Sequence, residues 1–370
     1  MITANFWAVI KKYDFSFFII TSAIFVVGIL NLYSATHGSN SGVVSNLYQT
    51  QIFLFGFSLF IGFLISFLRP STLARFSWPI YWVNIGLLLL VLFLGIQGMG
   101  AKRWILLGPF RLQPSEIMKI SLILGLARFF TSKRYYSELN LKTLIIPSLF
   151  AFIPALLVIM QPDLGTGLVL LLIFFMVAFY VGLKWKTIMI LGIIGLISGL
   201  GMYQFGLKGY QKKRITAFLN PGMEPKGLGY NAIQSKIAIG SGKFFGKGFK
   251  NSTQASLNYL PENHTDFVFS IFNEEHGFFG SLFLIGLYLV LFFRFLWLAQ
   301  SVTDVYDSIV VIGVMSIFFW HTIVNMGMVT GLLPIVGLPL PLMSYGGSSL
   351  LTFGICVGLA TSISNAKTLF

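Results

Sequence analysis

Leu260-Pro261-Glu262-Asn263-His264-Thr265-Asp266-Phe267 stands where a long basic stretch gives way to an apolar run long enough to cross a bilayer. Pro261 and Asn263 are turn signals, Thr265 has the chemistry of an N-cap, and the apolar run begins at Phe267. This predicts Asp266 in the first turn of a membrane helix, at the water boundary. A carboxylate there either caps the helix or does chemistry, and the stretch alone leaves both open.

The rest of the chain fixes the class. Of its 370 residues 56% are hydrophobic and only 10% charged, which excludes a soluble globular protein and predicts one integral membrane domain over 1–370. The single cysteine, Cys356, excludes an intrachain disulfide and a cysteine-based metal site. No basic helix or aromatic-basic module suggests a nucleic-acid partner. The net charge of +14 rests on few side chains, so their placement is informative.

Hydrophobic runs predict an all-α polytopic bundle of about ten transmembrane helices. The first follows Lys11 and Lys12 without a cleavage signature and reads as an uncleaved anchor. Others are expected near 51–68, 76–97, 115–131, 143–161, 164–183, 187–206, 268–299, 305–331 and 346–366. Lys11, Lys12, Arg69, Arg75, Lys133, Arg134, Lys142, Lys184 and Lys186 then fall on one side, which should be cytoplasmic together with both termini. The opposite loops near 36–50 and 332–345 carry no Lys or Arg.

Two outer segments break that pattern, one from Lys102 to Arg111 and a large extracytoplasmic loop over 207–265. Between Lys208 and Lys250 it holds Lys208, Lys212, Lys213, Arg214, Lys226, Lys236, Lys243, Lys247 and Lys250 against Glu224 alone. It is either a solvated loop over anionic headgroups or a surface that binds an anionic lipid-linked substrate. Gly242-Lys243-Phe244-Phe245-Gly246-Lys247-Gly248 has one spacer too few for a phosphate-binding loop and lacks the following Ser or Thr, so an ATPase is excluded.

Intramembrane ionisable groups come next. Glu116 and Lys119 share a helix face at i, i+3 after Gln113-Pro114, either as a structural ion pair or as a pair facing a cavity. Asp163, in Gln161-Pro162-Asp163, most simply caps the following helix. His321 and Asn325 can bond neighbouring helices, and the histidines show no zinc spacing. The Pro/Gly-rich stretch from Leu333 through Ser349 is too broken for a helix and too apolar for water, so it should re-enter the protein. Beyond Asp266, Ser270, Asn273 and Glu274 form the polar side of an amphipathic turn, with Phe267, Ile271 and Phe272 opposite. Glu274 lies about 12 Å along the helix from Asp266, too far to share one bond as paired acid and base. Span pattern and buried charge suit a lipid flippase or transporter equally well, but no inverted repeat is visible.

Six motifs in order now carry a resemblance: Gly100-Ala101-Lys102-Arg103-Trp104, Gln113-Pro114-Ser115-Glu116, Gln161 to Thr166, Gln234 to Gly242, Leu260 to Phe267, and Ser344-Tyr345-Gly346-Gly347-Ser348-Ser349. Over nearly its whole length the chain resembles the SEDS (shape, elongation, division and sporulation) family of cell-wall polymerases. Asn251-Ser252-Thr253-Gln254 and Gly337-Leu338-Pro339-Leu340-Pro341 are similar to its elongation branch, although Ser252 and Lys243 stand where glycine is common. The resemblance implies a ten-helix peptidoglycan glycosyltransferase that polymerises lipid II outside the cytoplasmic membrane with a class B penicillin-binding protein as partner. It implies Asp266 as the catalytic carboxylate. Arg103, Trp104, Arg111, Glu116, Lys119, Asp163, Lys236, Gln254, Glu262, His264, Thr265 and Ser344 are implied as supporting residues. A divalent cation, Mg or Mn, would assist such chemistry, but no ligand cluster stands out. In the expected reaction Asp266 is a single base, and Arg103, Arg111, Lys119 or the loop lysines stabilise the departing diphosphate.

Overall fold

A computed structural model of the chain describes residues 12–37, 46–98, 101–107, 110–132, 139–201, 209–223, 227–257, 259–260 and 262–369. Lys11, Lys133, Arg134, Lys208, Glu224, Lys226 and Pro261 lie outside the described residues, as do the side chains of Lys102 and Lys213.

Each expected span is a helix: α1 (Ser16–His37), α2 (Leu47–Ile65), α3 (Pro70–Leu94), α4 (Pro114–Ser132), α5 (Leu141–Met160), α6 (Leu164–Gly182), α7 (Trp185–Gly201), α11 (Val268–Ser301), α12 (Val305–Thr330) and α13 (Gly347–Leu369). Eight are long and apolar enough to cross a membrane. Of the other two, α4 carries Glu116, Lys119 and Arg128, and α7 has 17 residues. Starts expected near 51 and 76 move earlier, to Leu47 and to Pro70. Pro70 suits a first helical position because its missing N–H would have no partner there.

The short connections make the helices alternate in direction. Lys12, Arg69, Arg75, Lys142, Lys184 and Lys186 therefore gather at one end, where Leu139 bridges Leu183 and the Tyr13 hydroxyl meets that of Ser66 at 2.6 Å. Small residues let two helices touch: a Cβ on Gly62 of α2 would stand 2.3 Å from the Gly354 carbonyl of α13. That close approach is the usual basis of helix association in lipid, where apolar burial gives no net drive.

The other end holds the irregular structure. A small antiparallel sheet, β1 (Ile96–Gly98), β2 (Ala101–Leu107) and β3 (Phe110–Leu112), pairs Ile96 with Trp104 and Leu106 with Arg111. The basic loop is largely helical too, with α8 (Gly209–Leu219), α9 (Leu228–Gly242) and the single turn α10 (Thr253–Ser256).

One helix is broken. Gly277 of α11 has φ 66° and ψ −160°, outside the helical region. The backbone groups freed there bond to the 243–248 loop: Phe278 N donates to the Lys243 carbonyl at 2.9 Å, and Lys247 N to the Glu274 carbonyl at 2.9 Å. A Cβ on Gly246 would lie 2.1 Å from the Glu275 carbonyl, so only glycine allows the contact. The first turns of α11 are therefore packed on all sides, Ser270, Asn273 and Glu274 being as buried as Ile271 and Phe272. The amphipathic turn expected from the sequence is corrected accordingly: its polar side faces the folded loop instead of water.

Candidate active site

Residues 262–267 form a tight turn ahead of α11, whose N-cap is Phe267 with no side-chain cap bond. Asp266 is thus outside the helix, and Thr265 does not cap it, which corrects both expectations. The turn uses its own groups: Thr265 N and Phe267 N donate to the Glu262 carbonyl at 3.2 and 3.3 Å, and Thr265 Oγ1 donates to the Glu262 carboxylate at 2.9 Å. Glu262 takes φ 56°, the left-handed conformation that closes the turn.

Two other segments hold this turn, and a third braces one of them. Ser344 Oγ donates to the Thr265 carbonyl at 2.6 Å, and Tyr345 N donates to the His264 carbonyl at 2.9 Å. Asn325 Nδ2 of α12 donates to the Asp266 carbonyl at 2.9 Å and to the Leu338 carbonyl at 2.7 Å. Gln51 Nε2 of α2 donates to the Ser344 carbonyl at 2.9 Å. The 331–346 stretch re-enters the protein as expected, with Leu338, Leu340 and Met343 buried and its carbonyls taken by side chains.

All of these bonds fix backbone. The Asp266 carboxylate itself accepts no hydrogen bond among the described residues and is partly buried. A Cβ on Gly337 would lie 3.3 Å from its Oδ2, and Gly337 has φ 77°, so glycine keeps both the bend and the space beside the carboxylate. Burial, reinforced by the Glu262 charge, pushes the Asp266 carboxyl up to about 6 against the opposing pull of Arg214. Burial also lowers the pKa of His264, so its ring stays neutral near neutrality.

Arg214 is a residue that sequence reasoning left among the undifferentiated loop cations. Its Nη1 donates to the Val336 carbonyl at 2.9 Å, which brings α8 over the re-entrant stretch beside Asp266. Arg214 and exposed Lys236 line one small cavity with Gly331 and Ile335. Gln51 was equally hidden as a support, and Asn325, expected to bond a neighbouring helix, bonds the turn and the re-entrant stretch instead.

The remaining expected site residues fall into separate groups. Asp163 caps α6 by accepting from Thr166 N at 3.2 Å, and it also accepts from Gln113 Nε2 at 3.0 Å. Arg103 donates to the carbonyls of Gln161 and Pro162, with its guanidinium 4.0 Å from Asp163. Trp104 lies partly buried on β2, and Arg111 is exposed on β3, its carbonyl accepting from Ser348 Oγ at 2.8 Å. Glu116 and Lys119 form a buried pair at 2.9 Å, and Lys119 Nζ also lies 2.9 Å from His321 Nε2. His321 Nδ1 in turn meets the Pro339 carbonyl at 3.1 Å, so the pair reaches the re-entrant stretch through one ring. Gln254 is not beside Asp266. Its backbone N–H binds the Glu274 carboxylate at 3.3 Å, at the foot of the folded loop.

No group of three or more His, Cys, Asp or Glu side chains able to hold a metal comes together among the described residues. Glu262 and Asp266 are the two carboxylates within electrostatic reach of each other at the turn.

The whole fold, not the turn alone, has known counterparts. The family model for FtsW, RodA and SpoVE, described as a cell cycle protein family, matches residues 14–369. The chain belongs to the FtsW/RodA/SpoVE family. Among similar family members, the peptidoglycan glycosyltransferase MrdB of Escherichia coli (strain K12) is 38% identical over 359 residues, covering 97% of this chain and 95% of that protein. Stage V sporulation protein E of Bacillus subtilis (strain 168) is 36% identical, covering 95% and 96%. A solved family structure, described as the structural coordination of polymerization and crosslinking by a peptidoglycan synthase complex, matches with TM-score 0.83 and 31% identity over 97% of this chain and 99% of that one. The rod shape determining protein RodA of Thermus thermophilus matches with TM-score 0.70 and 30% identity over 97% and 98%.

Proposed function

We propose that this polytopic membrane protein is a peptidoglycan glycosyltransferase that joins lipid II units into glycan strands, with Asp266 as the general base. The observation that carries the reading is the state of Asp266: the backbone of its turn is held from two other segments while its carboxylate accepts no hydrogen bond among the described residues, is partly open and is pushed up to about 6. A base must be placed rigidly and left able to accept a proton, and its pKa should lie near the working pH. Asp266 takes the proton from the attacking sugar hydroxyl, and Arg214 with Lys236 meets the negative charge that grows on the departing diphosphate.

The site opens to the outer face of a bacterial cytoplasmic membrane, with both termini inside, because the basic end formed by Arg69, Arg75, Lys142, Lys184 and Lys186 belongs in the cytoplasm. A Mg or Mn ion arriving with the diphosphate would find Glu262 as its protein carboxylate and leave Asp266 free as the base, since such ions need only one or two protein carboxylates beside phosphate oxygens. It would neutralise the leaving group. A class B penicillin-binding protein is the partner that would crosslink the product, and the 251–254 and 337–341 motifs favour a role in elongation and rod shape. The transporter alternative draws no support from the bundle interior, where Glu116, Lys119 and His321 are sealed by packing.

The test supplies lipid II to the purified protein in proteoliposomes, with and without the partner. Glycan chains are expected, and Asp266→Asn should lower their rate by about 10²- to 10⁴-fold. Lipid movement across the bilayer without polymer would overturn the reading.

A further inference from the structure

The loop that locks onto broken helix α11 takes no part in the proposed chemistry, yet its sequence is unusual. Lys243-Phe244-Phe245-Gly246-Lys247-Gly248-Phe249-Lys250 mixes three phenylalanines with three lysines. Phe245 is 83% exposed and Phe244 64%, with Phe249 exposed as well. Rings on a solvated loop would be expected to fold inward. Here the backbone forbids it.

The Lys243 and Phe244 carbonyls accept from Phe278 N and Phe279 N at 2.9 and 3.1 Å, and Lys247 N and Gly248 N donate to the carbonyls of Glu274 and Glu275. Cβ atoms on Gly246 or Gly277 would overlap the opposing backbone. The loop is therefore clamped at the level of 278–279, just past the break at Gly277, beside Glu275, which accepts from Ser34 Oγ one turn from the His37 end of α1. At that level α11 presents Phe278, Phe279, Leu282 and Phe283 outward, all exposed. The Phe245 ring stands 5.3 Å from that of Phe279, and the Phe244 ring 6.3 Å from that of Phe278. The loop thus continues the surface of a membrane-crossing helix.

We propose that residues 243–250 are a lipid-inserted wedge in the leaflet on the Asp266 side, with the three rings among phospholipid acyl chains. Lys243 and Lys250 flank the rings and are exposed, long enough to reach headgroup phosphates while their stems stay in the apolar layer. The Lys250 ammonium lies 4.5 Å from the centre of the Tyr33 ring, the aromatic partner typical of a membrane boundary. Charge and apolar surface together select phospholipid as the occupant. The wedge fixes the height of α9 and α10 on the bilayer. It concerns depth alone and stands whatever reaction occurs at Asp266.

The test places a bimane label on Phe245→Cys in nanodiscs of phosphatidylethanolamine and phosphatidylglycerol, the native Cys356 being buried and unreactive. Phe279→Cys, on the exposed face of α11, is the reference for the acyl region. The label at 245 should lose fluorescence to phospholipids carrying a nitroxide near the top of the acyl chain as strongly as the label at 279, and aqueous iodide should leave it bright. Iodide quenching without nitroxide quenching would place the loop in water and overturn the proposal. Protection from both would overturn it too, since protein would then cover the rings.

Discussion

Asp266 and Glu274 lie eight residues apart on one stretch of chain, yet they are placed in opposite ways. Glu274 is fully buried and accepts from Ser241, Lys247, Ser252, both the amide and hydroxyl of Thr253, and the Gln254 amide. Asp266 accepts from none of the described residues. A carboxylate saturated with donors is stabilised as an anion and has no lone pair left for a substrate proton. One left without donors in a partly apolar turn carries its charge at a cost and can take a proton. Glu274 ties the folded loop to α11, and Asp266 keeps its reactivity.

The contrast can be broken by mutation. The largest effect expected is the loss of polymerisation in Asp266→Asn given above, measured as glycan chain formation. Glu274→Gln should instead lower stability, by roughly 3 kcal/mol, because buried donors lose their acceptor and Lys247 its ion-pair partner. A fall in the thermal midpoint in detergent would show it, and an unchanged midpoint would mean the carboxylate ties nothing.

Asp266→Asn should act the other way on stability. The Asp266 carboxyl sits above its ordinary 3.8 at about 6, so the folded state prefers the protonated form. That preference is complete below the unfolded value and is lost as pH rises through about 6. The amide removes a penalty of up to about 3 kcal/mol at neutral pH, a common trade at sites built for activity. A midpoint raised at pH 7.5 and unaltered at pH 3 is the expected pattern.

A smaller effect separates Asp266 from its neighbour. Glu262→Gln removes the charge that helps raise the Asp266 pKa, so the acid limb of the rate should move to lower pH. The smallest change should come from Asn325→Ala, which loses two neutral hydrogen bonds worth about 1 kcal/mol each and lowers kcat more than it raises KM.

Much of this was legible in the sequence. Lipid demands long apolar helices, so ten spans could be read from hydrophobicity, and the broken, apolar composition around Pro339 and Pro341 announced the re-entrant stretch. Asp266 was found by its motif. Its freedom from capping could not be, because the Thr265 hydroxyl turns to Glu262, a choice made by the geometry of the turn. The sheet escaped since β1 and β3 have three residues each and β2 contains Lys102 and Arg103, too short and polar to show alternation. Helix α9 was obscured by Gly229, Gly240 and Gly242, and the break at Gly277 stands where the polar stretch Asn273 to His276 meets the apolar run, a lone glycine that does not by itself announce a break. Arg214 became meaningful only when the re-entrant stretch brought Val336 to it, and the partners of Asn325 only when Asp266 and Leu338 came within its reach.

The most direct test of Asp266 as the base is the pH profile of lipid II polymerisation in proteoliposomes. Between pH 5 and 8 the rate should follow the ionised form of Asp266, rising through an apparent pKa of about 6 and levelling above it. A rate that stays flat from pH 5 to 7 with chemistry limiting would contradict the account.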